Sequence, residues 1–427
     1  MKKTLYAVSI ILVVICICTV LIFTFSIEAP KPTETVPVAT TQSLEIETLA
    51  LATTQPTTEP VTTEPVTTEP VTTEPVTTEP VTTIPESTEP NFNFQRTSKS
   101  KLPLISGYEN IEKTQPYSGY HPKIIDMGED GWNNYRYWIS YTPYPSGIDY
   151  YENAHVIASN DLINYSEIKH FEQPLNDHKK SIRFNSDSHL VYNNDLNRIE
   201  LFWRYTDYDV DYMALYMKYT YDGVNWSEAE TFYMTFDMTN LDMVSPAIIY
   251  ENGIYKIWYV KSHSVFYREY SNGIFSEPTK TNLQYENNAR TWHLDVIKTE
   301  NGYELLTCAT LDLNDRKHMN LYYTTSPDGM NWNTALCVFE PSGNESNWDG
   351  GGLYRSSFIY SDGIYYVFYG GRNDSKNMGT GLVFGKDMYN LYGTDLDYIK
   401  NGPESAIKFW KFINNYKTYD YIPQYSN

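Results

Sequence analysis

Five times between residues 121 and 370 the chain repeats one pattern: a short apolar strand, an Asn/Asp-Gly turn, then a strand rich in Tyr and Trp. It is clearest as SPAIIYENGIYKIWYV from Ser245, HLDVIKTENGYELLTC from His293 and RSSFIYSDGIYYVFYG from Arg355. Looser copies, HPKIIDMGEDGWNNYRYWISY from His121 and DSHLVYNNDLNRIELFWRY from Asp187, come before them. Tight turns between β-branched and aromatic runs mark antiparallel strands. The five starts are 66, 58, 48 and 62 residues apart, which leaves room for four strands and their loops in each unit. A second recurrence runs in phase with the first: SNDLINYSE at 159, YDGVNWSEA at 221, YSNGIFSEP at 270 and SPDGMNWN at 326, where a third strand would turn into a fourth. Repeats of this size, four strands each, predict an all-β, five-bladed β-propeller. A β-sandwich would not keep two turn signatures in phase.

The residues ahead of this array have a different physics. Lys2 and Lys3 precede an uncharged, mostly apolar run from Leu5 to Phe25, long enough as a helix to cross a hydrocarbon core of roughly 30 Å. It lacks the short apolar region and small-residue cleavage site of a secreted leader. Residues 1–26 are therefore expected to be a cytoplasmic tip and a transmembrane signal anchor, with everything beyond outside the cell. Residues 27–97 turn abruptly to Thr, Pro, Glu and Val, with VTTEP at 61, 66, 71 and 76. Proline at every fifth position blocks helix and sheet interior, so a disordered, extended stalk is expected. The head then runs over 98–427. These readings together describe a single-pass protein of the cell membrane with an extracellular C-terminal domain.

Composition closes off other classes. The formal net charge is -21, without a basic block beyond the first residues, so nucleic acid is not an expected partner. Four Cys, two of them within the apolar run, are too few for a disulfide scaffold or a Cys-rich zinc site. Cys308 and Cys337 are expected on a second and a fourth strand, kept apart by a third. No metal motif is legible.

The blade count, the first-strand pattern and the DG-x-x-W-like turns resemble the five-bladed β-propeller glycoside hydrolase superfamily, which includes families 43, 62, 32 and 68. The resemblance spans about 300 residues and implies a polysaccharide or oligosaccharide substrate. It also implies an Asp acting as base at the first blade start, an Asp orienting substrate at the second, and a Glu acting as acid at the third. Asp187 matches the second position. The first and third positions hold His121-Pro122 and Ser245-Pro246, so the usual base and acid are both missing. No cofactor is expected; the resemblance allows a structural calcium in the channel, where His189 and His293 would hold an axial cation or water as related propellers do.

In a propeller the first strand of each blade lines the channel, and its alternate residues share a face. His121, Asp187 with His189, Ser245, His293 with Asp295, and Arg355 would thus gather at one mouth. Loops between second and third strands add Glu152, Arg372 and Asp374. Hydrolysing a glycosidic bond takes two carboxyl groups in different protonation states, for which Asp187, Asp295 and Glu152 are the candidates. His121, His189, His293 and Arg355 would bind hydroxyl or acidic groups. Trp292 and Trp348, beside the blade starts, would stack on sugar rings, while Trp138, Trp203 and Trp258 on second strands would pack between blades. The competing reading makes each lone His or Asp a turn cap, and Arg355 a neutralising partner of Asp187 or Asp295. A cell-surface glycoside hydrolase is the function this points to. Its rival is a non-catalytic glycan-binding adhesin or receptor.

Overall fold

A computed structural model of the chain describes residues 118–166, 178–238, 242–393 and 395–415. The anchor expected over 1–26 and the stalk over 27–97 lie outside these residues. Among the described residues no helix is long and apolar enough to cross a membrane.

Five antiparallel sheets follow one another along the chain. Their innermost strands are Gly119–Asp126, Arg183–Asn193, Val244–Glu251, Arg290–Thr299 and the interrupted pair Gly352–Leu353 and Ser357–Ser361. Each innermost strand lies against the next, and the fifth returns to the first. This seam is hydrogen-bonded: Ile124 N donates to Ser357 Oγ at 3.1 Å, and Thr380 Oγ1 donates to Gly119 O at 2.9 Å. The head is a closed five-bladed propeller.

The two sequence recurrences meet in the packing between blades. In the turns at 159, 220 and 326 a Ser or Thr hydroxyl accepts the backbone N–H three residues on, and the following Asp caps the next N–H groups while holding an Asn side chain. Two of these Asx-type turns set a glycine against the second-strand Trp of the preceding blade, while the turn at 159 carries Leu162 at that position. Gly223, at φ +75°, sits over Trp138, and Gly329, also at φ +75°, sits over Trp258, whose Nε1 donates to Gly329 O at 2.7 Å. Trp138, Trp203 and Trp258 are all buried.

A Cβ added at Gly223 would fall 2.1 Å from the Trp138 ring, whereas one at Gly253, φ +79°, would meet nothing within 4 Å. We expect Gly223→Ala to cost about 2–4 kcal/mol from strain plus overpacking, and Gly253→Ala only about 1 kcal/mol from strain. Thermal unfolding of the two variants measures the difference; equal midpoints would remove this account of the blade interface.

Blade five departs from the four-strand expectation. Among the described residues its last strand is Met378–Gly385, the third outward, beyond which Tyr392 alone pairs, by two backbone hydrogen bonds to Phe384. Two helices, α1 (Leu396–Asn401) and α2 (Glu404–Asn415), follow instead. Asp395 caps the first through Asp397 N. Leu396, Ile399 and Phe409 enter one core with Ile124, Ile139 and Tyr141 of blade one and Phe368, Leu382 and Phe384 of blade five. With these contacts α2 closes the ring at the seam. Cys308 and Cys337 are free thiols on the second and fourth strands of blade four.

Candidate active site

The blade starts read from the sequence coincide with breaks in strand pairing. Register shifts fall between Tyr120 and Lys123, between Ser186 and His189, and between Thr291 and His293; a fourth lies opposite Ser245. His121, Asp187 and Ser245 all take a left-handed backbone, at φ 50°, 53° and 50°. Non-glycine residues pay for that conformation, and bulges of this kind re-aim side chains at functional sites. Three blades use the same device at the same level.

Counting inward from these starts separates the channel into tiers. The upper tier is His121, Asp187, Ser245, His293 and Arg355. Two residues on in each strand comes Lys123, His189, Ala247, Asp295 and Ser357. Two further on stand Ile125, Val191, Ile249, Ile297 and Ile359. The polar well is therefore floored by β-branched aliphatics, which line the cavity of about 1670 Å³ at the opposite mouth.

The second tier is a polar network in which, among the described residues, only His189 Nδ1 is left without a hydrogen-bond partner. Lys123 Nζ is 2.7 Å from Asp295 Oδ1, Ser357 Oγ donates to Asp295 Oδ2 at 2.6 Å, and the N–H groups of Val296 and Phe358 add 3.0 and 3.3 Å bonds. His189 Nε2 lies 3.0 Å from Ile248 N and 3.1 Å from its carbonyl oxygen. Asp295 and His189, both candidates from sequence, are thus bound up with neighbouring blades one level beneath the others.

The upper tier is less satisfied. Asp187 Oδ2 accepts Ser245 N at 3.1 Å, while Oδ1 faces Arg355 Nη1 at 3.4 Å and His293 Nδ1 at 3.7 Å. His121 Nδ1 is 2.7 Å from Thr142 Oγ1. His121 Nε2 and both ring nitrogens of His293 are buried with no hydrogen-bond partner among the described residues. Buried polar atoms are nearly always satisfied, so these nitrogens call for an ordered water, an ion or a ligand group. Glu152, placed by a short turn over Asp149–Tyr151, is buried nearby, and burial first, then the Asp187 charge, raise its pKa well above the usual carboxyl range.

Sequence reading missed four residues here. Tyr354 lies over both imidazoles, with ring centroids 5.2 Å from His121 and 4.4 Å from His293. Tyr120 stacks on Tyr354 at 5.4 Å and Tyr144 on Tyr120 at 6.0 Å. Arg204 is buried, with Nη1 donating to Thr206 Oγ1 at 2.7 Å and its charge acting on Glu152. Tyr120 and Tyr354 each directly precede a blade-start residue, a signal that was present; Tyr144 and Arg204 carry none. Trp292 donates from Nε1 to Tyr354 OH at 3.1 Å and so braces this wall. Trp348 stacks on Tyr369 of blade five at 5.6 Å, so that face is packed rather than open.

Asp187 and His293 offer two donors to a cation. No group of three or more His, Cys, Asp or Glu among the described residues is set to hold a metal ion. Any ion would have to complete its shell with substrate or water.

Burial lowers the pKa of His121, His189 and His293 well below the usual imidazole value, helped by His293, Lys123 and Arg355 respectively. The unfolded chain has imidazoles near pKa ~6.5, so below that pH it takes up protons the folded head refuses. Stability therefore falls as pH drops through about 6. Denaturant midpoints at pH 7.5 and 5 should show this loss, and His293→Asn should reduce it. A midpoint that does not fall between those values would show that the imidazoles are not held neutral.

No protein-family model matches the chain. A curated protein of Flavonifractor plautii, an A type blood N-acetyl-alpha-D-galactosamine deacetylase, is 27 % identical over 327 residues, covering 62 % of this chain and 42 % of that protein. The chain thus spans less than half the length of that relative. A crystal structure of an N-acetylgalactosamine deacetylase from F. plautii in complex with blood group B trisaccharide superposes with a TM-score of 0.58 at 22 % identity, covering 69 % of this chain and 95 % of that one. The resemblance read from the repeats stands at the level of the fold. A thermostable family-43 glycoside hydrolase gives a TM-score of 0.44 at 13 % identity, over 65 % of this chain and 92 % of that one.

Proposed function

We propose that the head is a glycan-acting hydrolase whose well removes an acyl group from an N-acetylated sugar. The observation that carries this reading is the buried upper tier, where Asp187 faces Arg355 and His293, burial raises the Glu152 pKa nearby, and three imidazole nitrogens lack partners among the described residues. A carboxyl whose pKa is raised by burial suits the acid role, and a carboxylate facing cations suits the base role. Asp187, with His293, would take the proton of a water attacking the acyl carbon. Arg355 would stabilise the oxyanion, and Glu152 would protonate the departing sugar amine. The imidazole at the first blade start stands where the resembling glycosidases have their base. The name of the 27 % identical relative supports the same reaction.

Glycosidic hydrolysis is the second reading, favoured by the same Asp187 and Glu152 pair. Among the described residues only Asp187 and His293 face a place for a divalent cation, so two protein donors would hold it and substrate or water would have to complete its shell. Imidazole donors suit a transition ion better than the structural calcium that the family resemblance allows. The proposal keeps the head outside the cell membrane on its stalk, on the strength of the sequence alone. The test is product analysis on a panel of N-acetylated oligosaccharides, with and without chelator. We expect free acetate without new reducing ends. Reducing ends without acetate would establish the second reading, and binding with neither product would make the head a receptor.

A further inference from the structure

Two arginines stand beside the aromatic wall of the well and take no part in the proposed chemistry. Arg316, on the loop after the second strand of blade four, holds its guanidinium 4.3 Å from the Trp292 ring centroid. Trp292 is the residue bonded to Tyr354, so this cation stands one ring away from the wall of the well. Arg372 ends the second strand of blade five, half-buried, and its charge acts on the hydroxyls of Tyr120 and Tyr144, the other two rings of that wall.

Neither arginine makes an ion pair among the described residues, in a chain whose net charge is -21. The acids of the same loops are committed elsewhere. Asp315 and Asp374 grip His318 from its two sides, at 2.5 and 3.2 Å, and Asp312 caps Asn314 N. On the far side Asp149 accepts Ser181 N. A guanidinium stacked on an indole is fixed in direction at little cost in hydration, and its donor fork matches oxyanions.

We infer that Arg316 and Arg372 form an anion subsite at the lip of the well, and that the glycan taken there carries a sulfate or carboxylate beside the reacting sugar. This deepens the proposed function and rests on it for the position of the reacting sugar. Flanking arginines give bidentate recognition of either group, whereas the upper tier handles the neutral part of the sugar.

The test separates the two readings by measuring binding without turnover. The full chain carrying Asp187→Asn is titrated calorimetrically with an N-acetylhexosamine oligosaccharide in neutral, 6-O-sulfated and sialylated forms. We expect one anionic form to bind about tenfold tighter than the neutral one, from one or two charge-assisted bonds. Adding Arg316→Ala and Arg372→Ala should erase that preference and leave neutral affinity unchanged; Arg316→Lys should restore part of it. Which form gains tells sulfate from carboxylate. Equal affinity for all three, or a preference that survives both substitutions, would overturn the subsite. If the preference holds but the parent releases no acetate, only the reaction assignment fails.

Discussion

Asp187→Asn should cut glycan turnover by about 10²–10⁴-fold, the range set by losing a positioned general base. The amide is the same size and can still accept Ser245 N, so the bulge at the start of blade two keeps its anchor. What disappears is the charge that faces His293 and Arg355. Arg355 is buried, and losing its partner should cost about 3 kcal/mol of stability, so rates must be compared below the lowered melting point. Binding of a neutral oligosaccharide should weaken far less than turnover, because the imidazoles and the Tyr354 wall remain. Single-turnover rates of parent and variant decide it. A variant within tenfold of the parent would take Asp187 out of the chemistry.

The second large effect concerns the tier below. Lys123→Met leaves Asp295, which is 2 % exposed, without its cation. Breaking a buried pair from one side costs about 3–5 kcal/mol, while replacing both members by apolar groups is often nearly neutral. The double variant Lys123→Met with Asp295→Leu should therefore recover most of the loss, a coupling readable in denaturant midpoints. The same protein tests the role of Asp295. Turnover near the parent level in the restored double variant means that this carboxylate holds blades one, four and five together. A stable double variant with no turnover would return Asp295 to the catalytic set.

That contrast shows what the sequence could and could not disclose. The blade starts were legible because a propeller repeats one local problem five times, and the Asn/Asp-Gly turns and second-strand aromatics are local solutions to it. Asp187 and Asp295 looked alike for a related reason: each lies two positions from a His at a strand start. The order is reversed, Asp-x-His in blade two and His-x-Asp in blade four, and that order decides which group reaches the upper tier. A strand's period of two makes this visible only once all five starts are aligned in depth. The left-handed φ at His121, Asp187 and Ser245 had no local signature, since none is Gly or Asn and two are followed by Pro. Tyr144 and Arg204 arrive from a loop and a second strand, and only the closed ring brings them to the well.

Ring closure by the final helices has a consequence for how the head is made. Phe409 seats in the seam between the first and fifth blades, so the first sheet lacks part of its cover on one flank until α2 has been made. A polypeptide cut short before α2 would have every blade yet lack its clasp, and would present an unmated apolar wall to whatever surrounds it.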